Sequence, residues 1–112
     1  MSDLIQVITT VDTKEAADAL ASELVKLRLA ACVQIDGPIN SIYRWQGEIE
    51  TAQEFRLMIK TRRGVYNDVE QAIRGHHSYD VPEIVAVPVV VASASYSDWL
   101  NEQIDDNPLH KS

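Results

Sequence analysis

Hydrophobic residues recur along this chain with two different periods, and the order of these periods predicts the fold. Segments that are rich in β-branched residues or that alternate in polarity indicate strands, and segments with apolar residues three and four positions apart indicate helices. The predicted strands cover residues 4–10, 31–45, 48–61 and 82–91. The predicted helices cover residues 13–28, 65–73 and 95–103.

The predicted element boundaries rest on polar, glycine and proline residues. Asp12 is placed to cap the first helix, with Glu15 three residues further on as in a capping box. Gly75 is suited to follow the second helix, because glycine tolerates the left-handed conformation that commonly ends a helix. Gln46-Gly47 is the predicted turn between the second and third strands, and Gly37-Pro38 predicts a bulge or bend in the second.

The order of the elements predicts an α+β fold. It is a ferredoxin-like βαββαβ sandwich, in which a four-stranded antiparallel sheet carries helices on one face. A single domain over residues 1–104 and a polar C-terminal tail over residues 105–112 account for the whole chain. Phe55, Leu57 and Ile59 share the face of the third strand that is predicted to pack on the helices. Pro88 lacks an amide donor, so we expect the last strand to be bulged or to lie at a sheet edge.

The hairpin formed by the second and third strands is too long for one domain of this size. A strand of about 14 residues spans roughly 45 Å, whereas a domain with a radius of gyration near 13 Å is only about 30 Å across. Unless the bend at Gly37-Pro38 folds it back, the hairpin extends beyond its own core. Its tip carries apolar and aromatic residues that need cover, namely Ile42, Tyr43, Trp45 and Ile49. We therefore expect an oligomer formed through the hairpin and the uncovered sheet face.

Composition and charge narrow the functional class. The chain is 46% hydrophobic and has a net charge of −7, with no stripe of Lys and Arg. Nucleic acid and anionic membrane are therefore not expected as partners, because both are bound by clustered cations. The single cysteine, Cys32, excludes an intrachain disulfide, and neither a signal peptide nor an apolar segment of spanning length is visible. These features predict a cytoplasmic protein.

The densest group of chemically active side chains lies in the run from Gly75 to Glu83. The adjacent imidazoles of His76 and His77 are the best candidate metal ligands, because imidazole binds divalent transition metals readily. Adjacent residues of a helix or strand point in different directions, so both reach one ion only if the backbone after Gly75 is irregular. In the alternative interpretation, one histidine is exposed and the other forms a hydrogen bond across a turn.

Three further residues are weaker candidate ligands: Asp80, Glu83 and Cys32. No Lys, Arg or His adjoins Cys32 in the sequence to activate its thiol, so a buried and inert cysteine is the simpler interpretation. The chain also lacks a phosphate loop, a dinucleotide fingerprint and the order of a Ser-His-Asp triad. We therefore do not expect an enzyme.

Five segments stand in order along the chain: LAACV at 29–33, SIYRWQG at 41–47, EFRLMIKT at 54–61, HSYDVPEI at 77–84 and Trp99-Leu100. Together they resemble the CutA family, the divalent-cation tolerance proteins, over nearly the whole chain. The resemblance implies a homotrimer of ferredoxin-like subunits, in which each hairpin extends the sheet of a neighbour. It also implies a role in tolerance of divalent metal ions, with Cu²⁺ or another divalent cation as the bound ion.

Two positions depart from the family pattern. Ser78 stands where the histidine motif usually has proline, and Thr9 stands where the copper site of the family adds a cysteine. A threonine hydroxyl is a poor ligand for a soft or borderline metal. For this chain the resemblance therefore implies weak cation binding.

In the trimer that the resemblance implies, hairpin residues of one subunit approach the helix–strand junction of the next. The residues expected in this inter-subunit cleft are Tyr43, Trp45, Glu54, Lys60, Tyr79 and Glu83. They either stabilise the interface or form a small-molecule site with aromatic walls. The leading hypothesis is a non-enzymatic homotrimer that responds to divalent metal ions. The first alternative is a signalling trimer, similar to the PII proteins, that binds a small molecule in the cleft. A second alternative is an enzyme that uses the carboxylates of the cleft, Glu54 and Glu83.

Overall fold

A computed structural model of the chain describes residues 3–105, and the elements follow the predicted order. Their bounds are β1 (Leu4–Val11), α1 (Lys14–Lys26), β2 (Cys32–Trp45), β3 (Glu48–Arg62), α2 (Tyr66–His76), β4 (Ile84–Pro88) and α3 (Ala94–Gln103). A short 3-10 helix, Arg63–Val65, leads into α2. The predicted ferredoxin-like α+β fold is confirmed. Most of the predicted tail, residues 106–112, lies outside the described residues.

The four strands form one antiparallel sheet in the order β2-β3-β1-β4. β1 lies inside the sheet, where all of its residues from Leu4 to Val11 pair with β3. On its other side β1 pairs with β4, whose last residue, Pro88, lies opposite Ile5. β4 is thus an edge strand, the position in which a missing amide donor is tolerated.

The sheet has one buried face and one largely uncovered face. Val7, Leu57 and Ile59 lie on the buried face and are fully enclosed in one cluster with residues of α1 and α2. The predicted packing of this face on the helices is confirmed. The opposite face carries Val85 and Val87, which remain 44% and 42% exposed. Apolar area of this kind is about 25 cal/mol per Å² more stable away from water, so burying this face would be favourable.

α3 closes one end of the uncovered face. Arg62 at the end of β3 donates from Nη1 to Oδ1 of Asn101 at 3.0 Å, and Leu100 is buried in the core. The amide of Asp105 donates to the carbonyl of Arg28 at 3.1 Å, and its carboxylate lies 3.4 Å from the guanidinium of the same residue. Asp105, which we assigned to the tail, is therefore held against the domain.

The ends of α1 differ from the prediction. Thr13 rather than Asp12 caps the helix, because Thr13 is the residue whose extended backbone lets its hydroxyl accept from the amide of Ala16, at 3.0 Å. Aspartate and threonine are both good caps. At the other end the helix stops at Lys26, because Arg28 takes a left-handed φ of 58°.

Three other predicted boundaries are wrong. Gly75 lies inside α2, which continues to His76, because the chain leaves this helix through the extended backbone of His77 and needs no left-handed residue. β4 covers five residues rather than 82–91. Its C-terminal end is set by β1, which begins at Leu4 and accepts a last bond from the amide of Val89. α3 begins at Ala94 with Ser93 as its cap, one residue earlier than predicted.

Half of the central hairpin extends beyond the sheet. Pairing between β1 and β3 stops at Phe55, so that residues 39–45 and 48–54 pair only with each other within residues 3–105. We call this two-stranded segment, residues 39–54, the hairpin arm. It is about 20 Å long, and the radius of gyration of 14.7 Å exceeds the roughly 13 Å expected for a compact chain of this length. The predicted overhang is confirmed, and Ile42 and Ile49 are 72% and 67% exposed on it.

A bulge marks the point where the arm leaves the sheet. The register of β2 and β3 shifts between the Asp36–Arg56 pair and the Ile39–Glu54 pair, as Gly37-Pro38 predicted. Gly37 has a φ of 146°, and a Cβ there would lie only 2.7 Å from the ring of Phe55 and 3.0 Å from the carbonyl of Glu54. Only glycine fits this close approach of the two strands.

Two buried threonines on the helix-facing side of the sheet offer a matched test of hydrogen bonding in the core. Thr61 Oγ1 donates to the carbonyl of Leu29 at 2.7 Å, whereas Thr9 Oγ1 has no hydrogen-bond partner among residues 3–105. Thr61→Val should lower the free energy of unfolding by about 1–3 kcal/mol, because the carbonyl of Leu29 loses this donor. Thr9→Val should be neutral or stabilising by up to about 1 kcal/mol, because it removes only an unpaired polar group.

Urea unfolding of both variants measures the difference. Equal losses of stability would show that the hydroxyl of Thr9 is hydrogen-bonded in solution.

Candidate functional site

The two histidines lie where α2 ends and the loop to β4 begins. His76 is the last residue of α2 and is exposed to solvent. His77 follows as the C-cap, with an extended backbone (φ −94°, ψ 139°), and is half-buried. The break in backbone conformation sends the two imidazoles into different surroundings.

His77 uses both of its ring nitrogens within the protomer. Nε2 lies 2.6 Å from the carbonyl oxygen of Thr10 at the end of β1, and Nδ1 accepts from the backbone amide of Tyr79 at 3.1 Å. A carbonyl oxygen can only accept and an amide N–H can only donate, so the ring is neutral and carries its hydrogen on Nε2. Neither nitrogen keeps a free lone pair for a cation.

Tyr79 joins the loop to the hairpin arm. Its ring centroid lies 4.7 Å from that of His77, and its hydroxyl donates to Oε2 of Glu54 at 3.1 Å. Glu54 is the residue of the arm nearest the sheet in β3 and is only 7% exposed. Burial, followed by the hydrogen bond to Glu54, raises the pKa of Tyr79 to about 12. The phenol therefore keeps its proton and donates to Glu54 throughout the neutral range.

A charged pair lies beside the base of the arm on the uncovered face. Arg56 donates from Nη2 and Nε to the two carboxylate oxygens of Asp36, at 2.8 Å and 3.2 Å. This hydrogen bonding lowers the pKa of Asp36. Glu83 lies close enough for its charge to act on Arg56 as well. The loop and both strands of the hairpin thus contribute charged groups to one region.

The residues predicted for the inter-subunit cleft lie in three separate regions of one protomer. Glu54 and Tyr79 are in contact, and Tyr43 is close enough to influence the ionisation of Tyr79. Trp45 lies at the tip of the arm, about 20 Å from its base. Lys60 lies near the far end of β3, where its ammonium donates to the side chain of Gln6.

The predicted metal ligands do not form a cluster within one protomer. Asp80 and Glu83 are exposed, and Cys32 is half-buried at the start of β2, opposite Lys60. No group of three or more His, Cys, Asp or Glu side chains in residues 3–105 is arranged to hold a metal ion. Tight copper or zinc sites need three or four such donors. The donors that residues 3–105 of a single protomer supply therefore do not fit a tight site.

Several residues around the arm base were not singled out from the sequence. The Asp36–Arg56 pair could have been found by counting strand pairs back from the Gln46-Gly47 turn, allowing one shift at Gly37. The carbonyl of Thr10 carries no sequence signal, because every residue has one. Its role depends on where the loop after α2 returns to the sheet.

Comparison with known proteins agrees with this architecture. The sequence pattern of the CutA1 divalent ion tolerance proteins matches residues 5–103. The chain belongs to the CutA1 family. A crystal structure of CutA from Xylella fastidiosa superposes with a TM-score of 0.90 at 39% identity, covering 93% of this chain and 100% of that one.

Two CutA1 relatives illustrate the range of the family. The divalent-cation tolerance protein CutA of Thermus thermophilus is 44% identical over 86% of this chain and 93% of its own length. The chloroplastic protein CutA of Arabidopsis thaliana is 40% identical over 86% of this chain, which spans only 53% of that relative. The CutA1 family is named for divalent ion tolerance and not for a reaction. Within residues 3–105, the helices are too short or too polar to cross a lipid bilayer.

The contact between Tyr79 and Glu54 predicts the stability of a conservative variant. Tyr79→Phe should lower the free energy of unfolding by about 1.5–3 kcal/mol, because a nearly buried carboxylate loses its donor. Tyr66 provides the control, since its hydroxyl donates to Glu70 at 2.9 Å within one helical turn. Tyr66→Phe should cost at most about 1 kcal/mol. Denaturant unfolding at pH 7 measures both, and equal costs would contradict the special role of Glu54.

The raised pKa of Tyr79 gives this contribution a defined pH dependence. The phenol ionises near pH 10 in the unfolded chain and near pH 12 in the folded one. Its contribution to stability is therefore complete below pH 10 and is lost as the pH rises towards 12. The difference in stability between wild type and Tyr79→Phe should shrink over this interval. A constant difference from pH 8 to pH 11.5 would contradict the assignment.

Proposed function

We propose that this protein acts as a cytoplasmic homotrimer in the response to divalent cations, and that it does so without catalysing a reaction. Membership of the divalent ion tolerance family supports the link to cations. The proposed assembly rests on the hairpin arm, which extends beyond its own sheet and exposes apolar side chains to solvent.

The hairpin arm is not expected to be stable without further contacts. An isolated two-stranded hairpin is marginally stable in water, and its free edges offer unpaired backbone groups to another strand. Ile42 and Ile49 on the arm and Val85 and Val87 on the sheet are all substantially exposed. Docking the arm of one copy on the uncovered face or edge of the next would bury both surfaces. A closed ring of three copies, as the CutA resemblance implies, would leave no arm exposed.

The expected assembly is testable through the arm. Light scattering after size exclusion should give a mass near three times the 12.5 kDa of the chain. Ile42→Glu combined with Ile49→Glu should shift the protein towards the single chain, because docking would bury two unpaired charges. Val25→Glu, at a 45% exposed position of α1, is the matched control and should leave the mass unchanged. A wild-type mass of 12.5 kDa at micromolar concentration would overturn the proposal.

We propose that cation binding is weak and centres on the loop after α2. His76 has an exposed imidazole, and Asp80 and Glu83 offer exposed carboxylates nearby in the sequence. A divalent ion would have to draw further ligands from a neighbouring copy or from water, because residues 3–105 of one protomer do not supply three clustered donors. Such a site suits a response to excess cation better than the permanent retention of an ion.

Calorimetric titration with Cu²⁺ tests this assignment. His76→Ala should weaken binding by tenfold or more, because it removes the single imidazole with an available lone pair at this junction. Asp80→Asn and Glu83→Gln should each weaken binding less. His110→Ala removes the third histidine of the sequence and serves as the control for adventitious imidazole binding. Equal affinity in wild type and His76→Ala would remove the site.

A second candidate function is favoured by the buried carboxylate at the arm base. Glu54 and the phenols of Tyr79 and Tyr43 have the character of a small-molecule site, in which a few polar groups lie against aromatic walls. A neighbouring arm would close this region into a cleft, and a ligand there would signal through the assembly. Thermal stabilisation by metabolites and not by Cu²⁺ would favour this alternative.

A further inference from the structure

We infer that His77 is a positioning residue and not a metal ligand. Its neutral ring bridges β1 and the loop after α2, and thereby holds Tyr79 on Glu54 at the base of the hairpin arm. The exclusion of His77 as a cation ligand rests on the proposed function, whereas its positioning role does not depend on that function.

Both ring nitrogens of His77 are already occupied within the protomer. Nε2–H donates to the carbonyl of Thr10 and Nδ1 accepts from the amide of Tyr79, which uses the only donor and the only acceptor of a neutral ring. A metal ligand must offer a nitrogen lone pair. In His77 the lone pair of Nδ1 accepts from the amide of Tyr79, and Nε2 carries the hydrogen that is donated to the carbonyl of Thr10. The folded loop therefore excludes His77 from coordination.

A chain of contacts runs from His77 through Tyr79 to the hairpin arm. The ring fixes the backbone of Tyr79 through the amide and lies 4.7 Å from its phenol ring. The phenol then donates to Glu54, which is 7% exposed and belongs to the arm. The imidazole of His77 thus joins the loop to β1, and Tyr79 joins the loop to the arm. A displacement of the loop would therefore affect the arm, through which copies are proposed to dock.

The division of roles between the two histidines follows from their backbones. His76 completes α2 and remains in solvent, whereas His77 is extended and turns towards the sheet. A cation at this junction meets the first imidazole and not the second. Any effect of a His77 variant on cation tolerance would then arise from a displaced loop and not from a lost ligand.

Nitrogen-15 NMR of the intact protein tests the inference without a variant that must fold. Long-range ¹H–¹⁵N correlations at pH 7.5 should show His77 as the neutral tautomer with hydrogen on Nε2. Saturating Zn²⁺, used as a diamagnetic probe, should leave both ring nitrogens of His77 unshifted. The opposite tautomer, or a coordination shift at either nitrogen, would overturn the inference. His76 reports separately on the proposed cation site, so a silent His76 removes that site while the tautomer of His77 still decides its role.

Hydrogen exchange of the Tyr79 amide distinguishes positioning from ligation. In His77→Ala this amide should exchange about tenfold faster, the factor expected for loss of one hydrogen bond. His77→Gln should restore much of the protection, because its amide group can accept from Tyr79, although it is a poor ligand for Cu²⁺ or Zn²⁺. The amide of Leu27, which bonds to Glu23 at 2.9 Å, is the internal control. Unchanged exchange in His77→Ala, or no rescue by glutamine, would overturn the positioning role.

Discussion

β3 has 15 residues and β1 has 8, and the rest of the structure depends on this mismatch. Where β1 is present, β3 lies inside a four-stranded sheet and buries one face on two helices. Where β1 ends, β3 continues with β2 alone. Beyond that point the two strands pair only with each other among residues 3–105, so their outer backbone edges and exposed apolar side chains must meet water or another molecule. One half of β3 therefore lies in the interior of the domain, and the other half forms one strand of the exposed hairpin arm.

The transition from four strands to two concentrates polar contacts in one place. The strands approach so closely at Gly37 that only glycine fits, and the nearby carboxylate of Glu54 is almost fully buried. Burying a carboxylate without a partner costs several kcal/mol. Tyr79 offsets this cost from the loop, while Arg56 and Asp36 pair beside it. The arm base is thus held by side chains from separate parts of the sequence, and its geometry depends on all of them.

This arrangement changes how the histidine pair is understood in a cation tolerance family. Two adjacent imidazoles suggest a shared metal, but coordination depends on free lone pairs and not on residue type. The exposed position of His76 leaves it available, whereas the hydrogen bonds of His77 commit it to the fold. Under the proposed function, one short loop then carries an exposed imidazole that is open to cations and a second imidazole that holds the loop against β1.

The sequence by itself determined the order of the elements, the buried face of β3, the bulge, the turn and the overhanging hairpin. These features follow from local periods, from the special backbones of glycine and proline, and from strand length, all of which are properties of neighbouring residues. It also placed Tyr79, Glu54 and both histidines among the candidates. Only the tertiary structure decided that Thr13 caps α1, that β4 ends at Pro88 and that His77 faces Thr10. The end of β4 and the contact of His77 depend on partners distant in sequence, and the end of a neighbouring strand or a backbone carbonyl leaves no mark on the residue that it constrains. The cap of α1 is local, but aspartate and threonine are both good caps and the sequence alone does not choose between them.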